Sequence, residues 1–109
     1  MFKIADLQKF WHEIKFTTRV EKDEEREFKL DLRFKRVSAD DFTRIFGGQT
    51  TMIDALEEVV DDWSGPTDAD DKPLPCTTAN RLALFSVAGM ATTALQQYHK
   101  ALNELKLKN

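Results

Sequence analysis

Two runs of alternating apolar and polar residues dominate the first third of the sequence. Even positions carry most of the apolar side chains from Phe10 to Val20, and a second run alternates from Phe28 to Phe34. A period of two is typical of a strand with one buried face. The residues between the runs, 21–26, are all charged and predict a turn. The pattern therefore predicts an antiparallel hairpin, and other elements must cover its apolar face because a lone hairpin is marginally stable in water.

The remainder of the chain has the spacing of helices. Ser38 is a predicted N-cap, with acidic residues in the first turn, where the helix dipole favours them, and Gly47-Gly48 ends that helix. Thr50 or Thr51 caps a second helix, predicted to extend as far as Trp63. Its last turn would contain Asp61 and Asp62 at the end that disfavours anions, and we expect this turn to be frayed or otherwise engaged.

A loop over residues 64–77 contains all three prolines and separates this part from the last helices. Thr77 or Thr78 caps the next helix, and Gly89 is expected to divide it from a final one with a long apolar stripe. Phe2 and Ile4 also alternate and predict a short third strand at an edge.

These patterns predict a single α+β domain over residues 1–109. A β-hairpin region, 1–37, would pack against three to four helices in a helical region, 38–109. Hydrophobic residues make up 41% of the 109 residues, which is enough material for one core.

Cofactor and metal chemistry have little support in the sequence. His12, Cys76 and His99 do not have the spacing of a zinc site. His12 lies on the apolar face of a predicted strand, which favours a partly buried histidine with a structural role. The aspartates around Asp68 lack the Gly and Glu of an EF-hand loop and favour a solvated turn. No nucleophile motif or phosphate loop is present. We therefore expect a non-enzymatic protein without cofactor or metal.

The charge and hydropathy of the sequence argue against two classes of partner, nucleic acids and membranes. The formal net charge is −3, whereas nucleic-acid binding depends on an excess of Lys and Arg, so no nucleic-acid partner is expected. No apolar stretch is long enough for a membrane span, and no apolar segment of a signal peptide follows Met1. We expect a cytoplasmic protein with no membrane partner.

The best candidates for binding are apolar side chains near the C-terminus. The stripe of the last helix should mainly cover the hairpin, but its final residues extend beyond what a compact core reaches. An exposed edge there would suit self-association or the capture of an amphipathic helix. The predicted partner-binding residues are Trp63, Leu95, Tyr98, Leu102 and Leu105.

Several short segments occur in a fixed order over residues 1–102. They are Met1-Phe2-Lys3-Ile4, the two alternating strands, Ser38-Ala39-Asp40-Asp41, Trp63-Ser64-Gly65 followed by Asp68 and Asp70, Pro73-Leu74-Pro75, Thr78-Ala79-Asn80 and Tyr98 in the last helix. This order resembles the small tail assembly chaperones of long-tailed bacteriophages and prophages. The stretch from Trp63 to Pro75 is its most specific part. Similar proteins often have Gly where this chain has Asp71, and a less charged first strand.

The resemblance implies a chaperone that binds the tape-measure protein before the tail tube polymerises around it, and that leaves the mature tail. Such a protein would work in the host cytoplasm and be absent from the virion. Two alternatives stay open at this point. A structural tail or head–tail subunit would use the same fold but persist in the particle, and a small nucleic-acid-binding regulator would bind DNA with steep salt dependence.

Overall fold

Three antiparallel strands form a sheet whose one face is covered by helices in the computed structural model, which describes residues 1–104. A 3-10 helix comes first, over Ile4–Leu7. The remaining elements are β1 (Lys9–Glu21), β2 (Glu24–Lys35), α1 (Ala39–Phe46), α2 (Met52–Val59), β3 (Val60–Ser64), α3 (Thr78–Phe85) and α4 (Met90–Leu102). The strand order is β1-β2-β3. The predicted α+β class, with a hairpin packed against helices, is confirmed.

The hairpin is longer than its apolar alternation indicated. β1 and β2 pair from Lys9 opposite Lys35 to Glu21 opposite Glu24, so that only Lys22 and Asp23 form the turn. The predicted turn over 21–26 was therefore too long. Charged residues can continue a strand here because both faces of the hairpin tip are exposed, and no side chain has to be buried.

The third strand is not where the sequence predicted it. Phe2 is exposed, and Ile4 begins the short 3-10 helix, which has no buried residue. The third strand is β3, in the segment predicted as the last turn of the second helix. β3 pairs with β2, with Trp63 opposite Leu32 and Val60 opposite Phe34.

Asp61 explains why the chain leaves the helix at Val59. A carboxylate at a helix C-terminus faces the negative end of the dipole. In the strand, Asp61 instead accepts a hydrogen bond from Arg33 Nε at 2.6 Å and pairs with Lys9 at 3.2 Å. Partial burial opposes ionisation, but the bonds from Arg33 and Lys9 outweigh it and lower the pKa of Asp61. The prediction that this turn would be otherwise engaged was correct, whereas the helix through Trp63 was wrong.

The helix starts predicted from N-caps are confirmed. Ser38 Oγ accepts from the Asp41 amide, Thr51 Oγ1 from the Asp54 amide, and Thr77 Oγ1 from the Asn80 amide. Gly89, with a φ of +91°, separates α3 from α4. None of the helices within residues 1–104 has the length and apolar character that crossing a bilayer requires.

The core lies between the inner face of the sheet and the helices. Tyr98 on α4 is fully buried, and its ring lies 4.9 Å from that of Phe34 on β2 and 5.9 Å from that of Phe46 on α1. Its hydroxyl donates to the Lys35 carbonyl at 2.8 Å. One side chain therefore joins α4, α1 and the end of β2.

We expect Tyr98→Phe to lower the free energy of unfolding by about 1–2 kcal/mol, because the Lys35 carbonyl loses its buried donor. Burial also raises the pKa of the Tyr98 phenol. The stability that this pKa shift contributes is fully present below the pKa of the phenol in the unfolded chain, about 10. It is lost as the pH rises through the higher pKa of the phenol in the folded protein. Denaturant unfolding from pH 8 to 11 should show this alkaline loss in the native protein and not in the variant. Equal stability of the two proteins would contradict the assignment.

Candidate protein-interaction surface

The predicted partner-binding residues lie mostly in the core. Tyr98 is fully buried, and Trp63 is only 6% exposed. Leu95 and Leu102 are half-buried and pack against the core cluster. Leu105 lies outside the described residues. In this conformation Trp63 and Tyr98 are not available to a partner, so any binding surface consists of other residues. The apolar stripe of the last helix covers the base of the hairpin, where Tyr98 packs against Phe10 and Phe34.

Trp63 instead holds the loop that follows β3. Its indole Nε1 donates to the Leu74 carbonyl at 2.7 Å, and the Leu74 amide donates to the Pro66 carbonyl at 3.0 Å. A bridge between Thr67 and Pro73 closes the loop further. The segment from Trp63 to Pro75, the most specific part of the resemblance, thus forms one hydrogen-bonded unit attached to the sheet.

The aspartates of this loop build a turn. Asp68 Oδ1 accepts from the amides of Asp70 and Lys72 at 2.8 and 3.1 Å, as an Asx turn does. Asp71 has a φ of +60°, in the left-handed region that favours glycine. Among the described residues no group of three or more His, Cys, Asp or Glu is placed to hold a metal ion.

Replacing Asp71 with Gly should raise the free energy of unfolding by about 0.5–1 kcal/mol, because Gly adopts the left-handed conformation without steric cost. Asp70→Gly is the matched control. Asp70 has no positive φ, so extra freedom in the unfolded chain should make that substitution neutral or destabilising. Thermal or denaturant unfolding of the two variants measures the difference. A less stable Asp71→Gly variant would show that the turn does not have this geometry.

An ion pair attaches the end of the loop to α2. Arg81 on α3 donates to both carboxylate oxygens of Glu57 and to the Cys76 carbonyl at 2.8 Å. Hydrogen bonds from Arg81 lower the pKa of Glu57, and the pairing raises that of the guanidinium. Cys76 Sγ lies 3.4 Å from the same guanidinium, in a contact that fixes α3 in place.

Both histidines have structural contacts. His12 is half-buried on the inner parity of β1, as predicted, and its Nε2 lies 2.9 Å from the amide oxygen of Gln97 on α4. The His99 ring packs edge-on against Phe42 and Phe46, with centroids 5.6 and 4.7 Å away. Each imidazole therefore helps to join α4 to its neighbours.

Apolar surface remains open where the hairpin extends beyond the helices. Phe16 and Phe28 stack there at 5.5 Å on the inner face, and both are only half-buried. A cavity of about 250 Å³ lies between these rings, Pro66 and Leu84. A second, of about 220 Å³, joins Phe16 to the α3–α4 connection at Val87.

A third cavity, of about 410 Å³, continues from Val87 to Met52 at the start of α2. Adjacent cavities share the lining residues Phe16 or Val87, and we call the three together the apolar groove. Val87 is 57% exposed and Met52 is 50% exposed. The groove is defined by Phe16, Phe28, Met52, Leu84 and Val87.

Sequence reasoning missed this groove. The even-numbered apolar residues of the hairpin were treated as one buried face, but the helices reach only as far as Ile14 and Leu30. A signal was present in the lengths of the elements. β1 has 13 residues and α3 has 8, so that at about 3.3 Å per strand residue and 1.5 Å per helix residue the strand is much the longer.

The outer face of the sheet is charged and of mixed sign. Glu13 pairs with Lys29 at 3.0 Å and with Lys15 at 3.5 Å, and its pKa is lowered chiefly by the bond from Lys29. Trp11 is 51% exposed on this face, with the Arg33 guanidinium 5.7 Å from its ring centre. The interspersed signs are those of a solvated sheet face.

Comparison of the chain with known proteins finds no match. No protein-family model matches the chain, and neither a curated protein nor a solved structure does. What the molecule offers to a partner is therefore judged from its own surface, where the apolar groove is the principal uncharged feature described above.

Proposed function

We propose that this protein is a tail assembly chaperone of a phage or prophage, a non-enzymatic protein that binds and solubilises the tape-measure protein in the host cytoplasm. The observation that carries the proposal is the apolar groove, which exposes Val87 and Met52 and leaves the stacked Phe16 and Phe28 half-covered. Resemblance over residues 1–102 supplies the identity of the partner. The proposal places the protein in assembly intermediates and outside the finished virion.

The chemistry of the groove fits an amphipathic helix. A tape-measure chain exposes long apolar helical stripes, and a groove lined by aromatic and aliphatic side chains accepts such a stripe. Each groove is small, so a single contact would be weak and reversible. Many copies along one long chain would nevertheless give a large combined affinity. The net charge of −3 would help to keep the coated complex in solution.

This placement replaces most of the sites expected from the sequence. Tyr98 and Trp63 stabilise the sheet and its loop, and a partner reaches neither without opening the core. Leu95 and Leu102 remain partly accessible on α4. The groove extends from the hairpin to the α3–α4 connection and exposes Val87 and Met52.

Val87→Asp tests the placement by co-expression with the tape-measure protein of the same phage or prophage. A charge in the groove should weaken the complex by about tenfold or more, since it removes apolar burial and must itself be desolvated. Leu82→Asp is the matched control. Leu82 is 52% exposed and lies on α3, but it does not line the groove. The control should co-purify as the native protein does.

The outcomes of this experiment distinguish the proposed chaperone function from the location of the binding site in the apolar groove. If the native protein does not keep the tape-measure protein soluble, the proposed function is wrong. If Val87→Asp binds as tightly as Leu82→Asp, the function stands and the groove is not the site. Detection of stoichiometric amounts of the protein in purified virions would favour a structural tail subunit instead.

A further inference from the structure

The outer edge of β1 presents a long row of unpaired backbone groups. β1 is an edge strand of 13 residues, bonded to β2 on one side only. The Arg36 amide donates to the Gln8 carbonyl, and the register continues unbroken to Thr18 opposite Arg26. Hydrogen-bonded pairs alternate in an antiparallel ladder, so even-numbered residues direct their amides and carbonyls to β2. The odd-numbered residues direct theirs outward.

Nothing described in residues 1–104 covers this edge. No backbone bond outside the β1–β2 ladder involves residues 9–21, and no side chain donates to a carbonyl there. Natural edge strands are usually protected by shortness, proline, a bulge, charged side chains or a covering element. The charged side chains of β1 are of both signs, so they do not repel every incoming strand. β1 contains no proline, and its bulge, between Arg19 and Glu21, lies at the far end. The edge from Lys9 to Arg19 is therefore free to accept another strand.

We propose that the occupant of this edge is β1 of a second copy, paired antiparallel about a two-fold axis at Ile14. The six strands of the two copies would then form one continuous sheet. Charge complementarity favours this register over its immediate neighbours. With the axis at Ile14, Glu13 of each copy lies opposite Lys15 of the other, and Trp11 lies opposite Thr17. Moving the axis by one residue places Glu13 opposite Glu13 or Lys15 opposite Lys15, which is unfavourable for like charges.

The surroundings of the axis agree with this register. On the inner face the central pair is apolar, because Ile14 of one copy lies opposite Ile14 of the other and each is packed in its own core. Two uncharged residues of α4 lie against β1 here, Gln97 bonded to His12 and Thr93 beside Phe16. The single like-charge pair, Lys9 with Arg19, falls at the ends of the ladder. There Lys9 is already paired with Asp61.

Thr17→Pro tests the backbone pairing directly. The Thr17 amide points outward in β1, so proline removes an intermolecular hydrogen bond and leaves the β1–β2 ladder intact. Thr17→Val, which keeps the amide, is the matched control. In sedimentation over a range of concentrations, the native protein and Thr17→Val should dimerise with similar affinity. Thr17→Pro should dimerise at least about tenfold more weakly.

A charge exchange tests the register. Lys15→Glu places a carboxylate opposite each Glu13 and should weaken dimerisation by about tenfold. The double variant Glu13→Lys with Lys15→Glu restores opposite charges across the axis and should recover the native affinity to within about threefold. A protein that is monomeric at every concentration, or a dimer unaffected by Thr17→Pro, would overturn the edge pairing. Charge variants that all dimerise equally would overturn the axis at Ile14.

Discussion

The structure depends on how much of the hairpin's apolar face the helices reach. Near its base, the inner side chains of β1 and β2 are covered by α4 and α2, with the fully buried Tyr98 of α4 against Phe34. Beyond Ile14 and Leu30 the cover ends, and every residue from Thr17 to Glu27 is exposed. Because apolar burial is the main source of folding free energy, the base of the hairpin stabilises the protein and the tip does not.

The uncovered part of the same face supplies the surface that a partner could use. Phe16 and Phe28 belong to the alternation that builds the core, but they sit one pair beyond its boundary. The loop held by Trp63 and the connection at Gly89 bring Pro66, Leu84 and Val87 beside them. A chaperone that binds weakly and repeatedly would need an exposed apolar surface of this limited size. A fully buried face offers no contact to a partner, and a large exposed apolar surface promotes aggregation.

Local signals in the sequence predicted local structure well. The hairpin follows from alternation, and the starts of α1, α2 and α3 follow from Ser38, Thr51 and Thr77 as caps. β3 was missed because Val59, Val60 and Trp63 satisfy both a helical and an extended spacing over so short a segment. The choice between them depends on Arg33 and Lys9, which are distant in sequence and attract Asp61 into the sheet.

The interaction surface was harder to predict for the same reason. Tyr98 and Trp63 are large aromatic residues, and sequence alone does not say whether such residues anchor a core or a partner. Their hydrogen bonds to the Lys35 and Leu74 carbonyls identify them as internal. The groove depends on where α3 ends relative to the hairpin, which is a property of tertiary packing and has no local pattern.

Amide hydrogen exchange along the hairpin tests this account most directly, in protein dilute enough to be monomeric. The amides of His12, Ile14, Leu30 and Leu32 should exchange slowly, because the helices cover that half of the sheet, whereas those of Thr18 and Arg26 near the tip should exchange orders of magnitude faster. Equal protection along the whole hairpin, or rapid exchange at its base, would contradict the division into a covered half and an open half.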